Sequence, residues 1–185
     1  ICGVCHLLPF DISEPNISYY ALCALMFSVG LSVGNDPQTL KNFRSLNPRL
    51  VFLPIMTILG TLAGSAAVSL ILTHRSITDC LAVGSGFGYY SLSSIFITEY
   101  KGAELGTIAL LANISREILT LLAAPLLVRW FGNLAPISAG GATTMDTTLP
   151  IITRTAGQQF VVVSIFHGFV VDFSVPFLVT LFCSI

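Results

Sequence analysis

The sequence has 185 residues, of which 54% are hydrophobic and only 9% charged, and its mean hydropathy is +0.87. A soluble domain carries about 25% charged residues, so this chain lacks the polar surface that a water-exposed globule needs. The net charge of −1 gives no reason to expect nucleic-acid binding. We therefore predict an all-α polytopic membrane protein, with residues 1–185 forming a single transmembrane domain.

The first ten residues, ICGVCHLLPF, are apolar and contain neither an initiator Met nor a basic n-region. This pattern differs from a signal peptide and is typical of the tail of a helix, which predicts that further sequence precedes it. The CxxC pair near this end has no second pair to complete a metal or redox site. We interpret all five cysteines as apolar membrane residues without a disulfide framework: Cys2, Cys5, Cys23, Cys80 and Cys183.

Six hydrophobic segments follow one another along the chain, and about 20 residues suffice to cross a bilayer. They cover residues 17–34, 49–73, 77–97, 103–128, 134–153 and 160–185. We expect either six spans, or five full spans and one broken or re-entrant segment, as in secondary transporters. The loop NDPQTLKNFRSLNPR contains Lys41, Arg44 and Arg49, which predicts a cytoplasmic location by the positive-inside rule.

The segment 77–97 contains Gly84, Gly86 and Gly88 at alternate positions, followed by hydroxyl residues that include Ser91. Small residues favour close helix packing in membranes, but the packing motif does not need Gly86. An unwound break that faces a substrate is the second interpretation. A nucleotide-binding loop is disfavoured because the flanking strand and helix of that motif are missing.

The segment 134–153 is interrupted by Gly140 and Gly141 and bracketed by Pro136 and Pro150. Unpaired backbone groups are tolerated at membrane depth only where they face protein or a wet cavity. We therefore expect a broken or re-entrant helix, whose exposed ends and carbonyl groups would lie beside a substrate.

Asp146 lies inside this interrupted stretch, among Thr143, Thr144, Thr147 and Thr148. A charged side chain at the bilayer centre costs at least about 2.5 kcal/mol, so Asp146 is the first candidate for binding a cation or a small zwitterion. The alternative is that it caps the helix beginning at TTLP.

Arg116 and Glu117 fall near the middle of segment 103–128, and Asn113 lies on their side of the helix. Neighbouring residues point about 100° apart on a helix, so at least one of the two charges needs a partner elsewhere. One interpretation is an inter-helix ion pair. The other makes Glu117 a cation or proton site, with Asn113 beside it.

His167 and Asp172 lie in the last segment. We interpret His167 as a hydrogen-bonded interior residue, whereas Asp172 needs a cation, a proton or an arginine. No HExxH or similar ligand spacing occurs, so we expect neither a metal nor another cofactor. The acids near segment ends are interpreted as solvated: Asp79, Glu99 and Glu104.

Four blocks of the sequence resemble the lysine exporter LysO family of bacteria. They are GSGFGYYSLSSIFITE, LLANISREILTLLAAPLL, GGATTMDTTLPIITR and HGFVVDFSVPFL. The resemblance implies export of L-lysine and toxic lysine analogues across the inner membrane, and it implies that a membrane carboxylate, here Asp146, is essential. Asn113 is an amide where some relatives carry an aspartate. The chain is similar to the C-terminal part of relatives that have a further membrane portion upstream, which in split members is a separate subunit.

Lysine offers two ammonium groups and one carboxylate. Asp146, Glu117 or Asp172 would meet the ammonium groups, and backbone N–H groups freed near Gly84–Gly88 or Gly140–Gly141 would meet the carboxylate. A protonatable acid in the same cavity would allow protons to drive export. Besides lysine and protons we expect contact with membrane lipid, and a homodimer is an alternative to the partner subunit.

Three other functions stay open. A sodium–proton antiporter or another cation or organic-solute transporter would also combine broken helices, crossing near the bilayer midplane, with buried acids. An intramembrane enzyme is disfavoured, because nothing in the sequence brings the candidate residues together; they are Ser85, Ser91, His167 and Asp172. A scaffold subunit that leaves transport to a partner is disfavoured by the density of charge within the apolar segments.

Overall fold

The computed structural model describes residues 48–72 and 74–185, which all belong to one compact unit, Gln38–Ile185. All regular structure in these residues is helical, which confirms the predicted all-α class. Several features named above lie outside the described residues: segment 17–34, Cys2, Cys5, Cys23, Lys41 and Arg44.

The α-helices are α1 (Pro48–Val51), α2 (Leu53–Ile71), α3 (Ile77–Gly84), α4 (Tyr90–Lys101), α5 (Ala103–Phe131), α6 (Ala135–Gly140), α7 (Leu149–Ala156) and α8 (Val161–Ser184). A 3₁₀ helix, Gly141–Met145, follows α6, and a shorter one, Gln158–Phe160, precedes α8. Three stretches are long and apolar enough to cross a membrane: Leu53–Ile71, Ala103–Phe131 and Gln158–Ser184.

Helices α3 and α4 form a hairpin, called here the first hairpin (residues 77–101). The Lys101 Nζ atom lies 3.7 Å from Asp79 Oδ1, although a straight helix would separate these residues by about 33 Å. The chain therefore reverses direction between Gly84 and Tyr90. A second ion pair at the same end joins Arg75 to Glu104.

Residues 135–156 form the second hairpin, which consists of α6, the 3₁₀ helix and α7. Ile137 near the start of α6 and Ala156 at the end of α7 belong to one buried apolar cluster with Val163 of α8. The second hairpin thus enters and leaves the bundle at one end. Pro136 and Pro150 occupy the first turns of α6 and α7, where a missing N–H group does no harm.

The two hairpins enter the bundle from opposite ends. Helix α5 begins at the ion pair beside the first hairpin, and its Val128 packs against the cluster of the second. Helices α5 and α8 each pack against parts of both hairpins. The sequence predicted at most one re-entrant segment, whereas the described residues contain two segments that return to the end they entered.

The surfaces of the long helices suit a lipid environment. Only 11% of the most apolar window of α2 and 17% of that of α5 are buried, against 39% in the window that includes α8. The exposed positions of α2 and α5 are largely Leu, Ile, Phe and Met. Helix α8 is therefore the inner helix of this unit.

Candidate functional site

The tips of the two hairpins touch each other. The Ala142 N–H group donates to the Phe87 carbonyl at 2.9 Å. Gly141 has φ +64°, and a Cβ atom there would collide with the same carbonyl. Gly88 has φ +94°, and its Cβ would lie 3.2 Å from Gly140 O. Glycine is needed here both for the left-handed conformation and for the close approach. The break predicted in segment 134–153 is therefore present, and so is the break that was one of two interpretations of segment 77–97.

Asn113 of α5 holds the tip of the first hairpin. Its Oδ1 accepts from Gly88 N at 2.8 Å, and its Nδ2 donates to Val83 O at 3.2 Å and to Ala109 O at 2.9 Å. A Cβ atom on Gly86 would collide with this amide. Asn113 thus satisfies backbone groups that the break leaves free, a role different from the one predicted beside Glu117.

Gly84 serves the close packing that was the alternative interpretation of the first break. A Cβ atom there would collide with the Ser65 hydroxyl of α2. Break and close packing therefore occur together in the glycine-rich segment. Ser91, at the start of α4, is exposed and lies apart from the contact between the two tips.

Arg116 joins the second hairpin to α5. Its Nε donates to Ala139 O at 2.8 Å and its Nη2 to Ser138 O at 3.1 Å. These carbonyl groups lie in the last turn of α6, where the helix dipole favours a positive charge. The guanidinium also lies over the Phe87 ring, 5.9 Å from its centroid. The expected inter-helix ion pair is thus wrong for the described residues, since Arg116 binds carbonyl oxygens.

Hydroxyl groups complete the tip of the second hairpin. Thr143 Oγ1 donates to Gly140 O at 3.0 Å and hydrogen-bonds Thr148. Thr144 Oγ1 lies 2.9 Å from Ser164 O and 3.2 Å from His167 Nδ1. These buried threonines hydrogen-bond the protein itself and so support the tip.

His167 is a hydrogen-bonded interior residue, as predicted. Its Nε2 lies 2.9 Å from Thr57 Oγ1 of α2, and its Nδ1 hydrogen-bonds Thr144. The Ser85 hydroxyl donates to Leu81 O at 2.7 Å. Among the described residues neither Ser85 nor Ser91 hydrogen-bonds the imidazole, so the structure forms no nucleophile–base pair from these residues.

Asp146 lies at the end of the 3₁₀ helix and is exposed. Its Oδ1 accepts from Thr147 N at 2.6 Å and from Thr147 Oγ1 at 3.3 Å. The predicted capping role is wrong, because the N-cap of α7 is Thr148 and no side chain caps that helix. The carboxylate remains open to a ligand at the end of the hairpin tip.

Asp172 and Glu117 lack partners within the described residues. Asp172 is 4% exposed and its Oδ1 is buried without a hydrogen bond. Gly168, one turn before Asp172 on α8, contacts Met145, and Asp146 follows Met145 in the chain. Glu117, at the midpoint of α5, is half-buried. The packing of α8 against the 3₁₀ helix thus places Asp172 close to Asp146.

Two apolar cavities of about 740 and 680 Å³ border Arg116, Thr61 and Ala112. Neither is lined by Asp146 or Asp172. Among the described residues no group of three His, Cys, Asp or Glu side chains could hold a metal ion. Asp146, exposed at the second tip, is therefore the best candidate for binding a charged ligand.

Sequence reasoning missed the role of Phe87 at the first tip. Phe87 is buried, has φ +45° and supplies the carbonyl that joins the tips. Its place between Gly86 and Gly88 was the available signal, because a residue flanked by two glycines can be forced into an unusual conformation.

One family model and two bacterial proteins are similar in sequence to this chain. The family model described as "Lysine exporter LysO" matches residues 1–183. The chain is 37% identical over 192 residues to the lysine exporter LysO of Escherichia coli, covering all of this chain and 63% of that protein. It is 36% identical over 165 residues to a putative lysine exporter of Haemophilus influenzae, with 89% of this chain and 83% of that protein covered. No solved structure is significantly similar to it.

Proposed function

The chain belongs to the lysine exporter LysO family, and on this premise we propose that it exports L-lysine and lysine analogues. It acts as a multi-pass protein of the bacterial inner membrane, a secondary transporter that exchanges lysine for protons. The chain spans 63% of the length of its Escherichia coli relative, so the proposal concerns the protein of which these residues are part. A small partner subunit or a homodimer stays a prediction.

The observation that carries the proposal is the exposed Asp146 at the tip of the second hairpin. Thr147 holds one of its oxygens through two hydrogen bonds, which fixes the orientation of the carboxylate. The other oxygen makes no hydrogen bond with a described residue. An ammonium group of lysine would pair with it, and charge-assisted hydrogen bonds of this kind are stronger than neutral ones.

The lysine carboxylate needs a different site from the one predicted at the breaks. The N–H groups of Gly88 and Ala142 are already bound to Asn113 and Phe87, so these two are not free to receive an anion. Glu117 remains a second candidate for an ammonium group. Its position at the middle of α5, half-buried and without a partner among the described residues, supports that role.

The proposal is tested by efflux of labelled lysine from proteoliposomes that contain the intact protein. Wild type, Asp146→Asn and the control Glu99→Gln, which removes an exposed acid of α4, are compared with and without a pH gradient. We expect Asp146→Asn to lower efflux at least about tenfold, since losing about 1.4 kcal/mol of binding has that effect. The control should match wild type.

Equal efflux by wild type and Asp146→Asn would contradict the assignment of Asp146. Transport of sodium that lysine does not affect would favour a sodium–proton antiporter instead.

A further inference from the structure

Asp172 has an environment that an ionised carboxylate tolerates poorly. It is 4% exposed, and its buried Oδ1 finds no hydrogen-bond donor among the described residues. Burial of an unpaired ion costs several kcal/mol. A carboxyl group in this position therefore requires either a proton or a cation that comes from outside the described part of the chain.

The packing of α8 directs Asp172 toward the second tip. A Cβ atom on Gly168 would lie 2.7 Å from Met145 N and 2.9 Å from Thr144 Oγ1, so Gly168 is in direct contact with the 3₁₀ helix. Asp172 is one turn further on the same face of α8. Asp146 directly follows Met145, so the contact of Gly168 with Met145 brings the two acidic residues close to each other.

No cation among the described residues neutralises Asp172. The 3₁₀ helix packed against α8 carries the Asp146 carboxylate, directly after Met145 at the contact with Gly168, and the first tip carries the Tyr89 hydroxyl. Helix α2 carries no ionisable side chain. The remaining charged side chains of the helices packed on α8 are ion-paired or exposed: Asp79, Lys101, Glu99 and Arg154. On α8 itself, the His167 ring is bound to Thr57 and Thr144.

We infer that Asp172 holds the proton that lysine displaces during transport, an inference that rests on the proposed export of lysine. Two carboxylates that share a site cannot both ionise readily. Without lysine, Asp146 is ionised and Asp172 keeps a proton. When a lysine ammonium binds Asp146, the added positive charge allows Asp172 to ionise, and its proton passes to water. When lysine leaves, Asp172 takes up a proton again.

This exchange keeps the charge of the site constant. One carboxylate and one carboxylic acid carry one negative charge, as do two carboxylates with one bound ammonium group. One proton therefore enters for each lysine ammonium that leaves. Asp146 and Asp172 thus have separate roles, the first in binding lysine and the second in coupling to protons.

The experiment separates these roles by two assays on proteoliposomes with the intact protein. The first measures efflux driven by a pH gradient, and the second measures exchange of labelled for unlabelled lysine without a gradient. We expect Asp172→Asn, which resembles the protonated acid, to keep exchange and to lose the stimulation by the gradient. Asp172→Glu should keep both, and the control Glu99→Gln should behave as wild type.

A pH-sensitive dye gives a second readout on the purified protein. Lysine should release protons from wild type and not from Asp172→Asn. Stimulation by the gradient that survives in Asp172→Asn would overturn the inference, as would the loss of exchange in this variant. A wild type that moves no lysine in either assay would overturn the proposed function itself.

Discussion

The tips of the two hairpins have similar backbone breaks but are completed by different side chains. At the first tip a neutral amide, Asn113, satisfies both donors and acceptors of the backbone. At the second tip a cation, Arg116, binds two carbonyl groups, and an exposed carboxylate, Asp146, follows the 3₁₀ helix. The backbone N–H and carbonyl groups that a break leaves free can therefore be hydrogen-bonded by an uncharged side chain. The charges at the second tip need a further explanation.

Under the proposed function, that explanation is ligand binding at the second tip and support at the first. Buried polar groups must find partners in both places, but only the second tip presents a side chain whose charge its neighbours leave unneutralised. Three substitutions test this difference through the stability of the protein, from the largest expected loss to the smallest.

Replacing Arg116 should cause the largest loss of stability. In Arg116→Met the carbonyl groups of Ser138 and Ala139 lose their donors, and a buried acceptor without a partner costs about 1–3 kcal/mol. We expect the free energy of unfolding to fall by about 3 kcal/mol or more, measured by unfolding in detergent. Arg129→Gln, at an exposed arginine near the end of α5, is the control. Equal stability of Arg116→Met and wild type would show that the second tip does not depend on this cation.

Gly141→Ala tests the contact between the tips. The new Cβ atom would collide with Phe87 O, and the residue would also have to keep φ +64°. Gly132→Ala is the matched control, because Gly132 has φ +88° but no atom within 4 Å of the position that an alanine Cβ would occupy. We expect Gly141→Ala to lose about 1–3 kcal/mol more than the control, the usual effect of overpacking. If both variants lose the same free energy of unfolding, the positive φ angle alone requires glycine at position 141, and the contact with Phe87 does not.

Asn113→Gln should have the smallest effect of the three. The glutamine keeps the amide donor and acceptor and adds one methylene group at a position that is 3% exposed. We expect the free energy of unfolding in detergent to fall by about 1 kcal/mol, and lysine efflux to persist once the lower stability is taken into account. Asn133→Gln, at an exposed position, is the control. Abolished efflux in stable, folded Asn113→Gln protein would assign the first tip to the substrate site.

The sequence predicted the break at Gly141 and left the break at Gly88 as one of two interpretations, although both glycines adopt the left-handed backbone. It did not predict that the chain reverses between α3 and α4. After a glycine-rich break the chain can either continue through the bundle or return to the end where it entered. Which of the two occurs depends on contacts between residues distant in sequence, such as Lys101 with Asp79. The interior role of His167 was predictable, since a lone histidine in an apolar helix needs hydrogen-bond partners.

The partners of Arg116 could not be predicted. Sequence patterns reveal acidic side chains, but Arg116 binds backbone carbonyl groups, which every residue possesses. Asp146 was correctly placed in an interrupted helix, but its exposure depends on how the second hairpin packs against α8. The proximity of Asp146 and Asp172 has the same origin, because it follows from the contact of Gly168 with Met145.

The order of a hairpin followed by a long helix occurs twice, first in residues 77–131 and again in residues 135–184. Because the hairpins enter from opposite ends, the two halves run in opposite directions, which is the arrangement of an inverted repeat. The hydrogen bond from Ala142 to Phe87 joins one half to the other, so a single backbone contact links two elements that belong to opposite ends of the bundle.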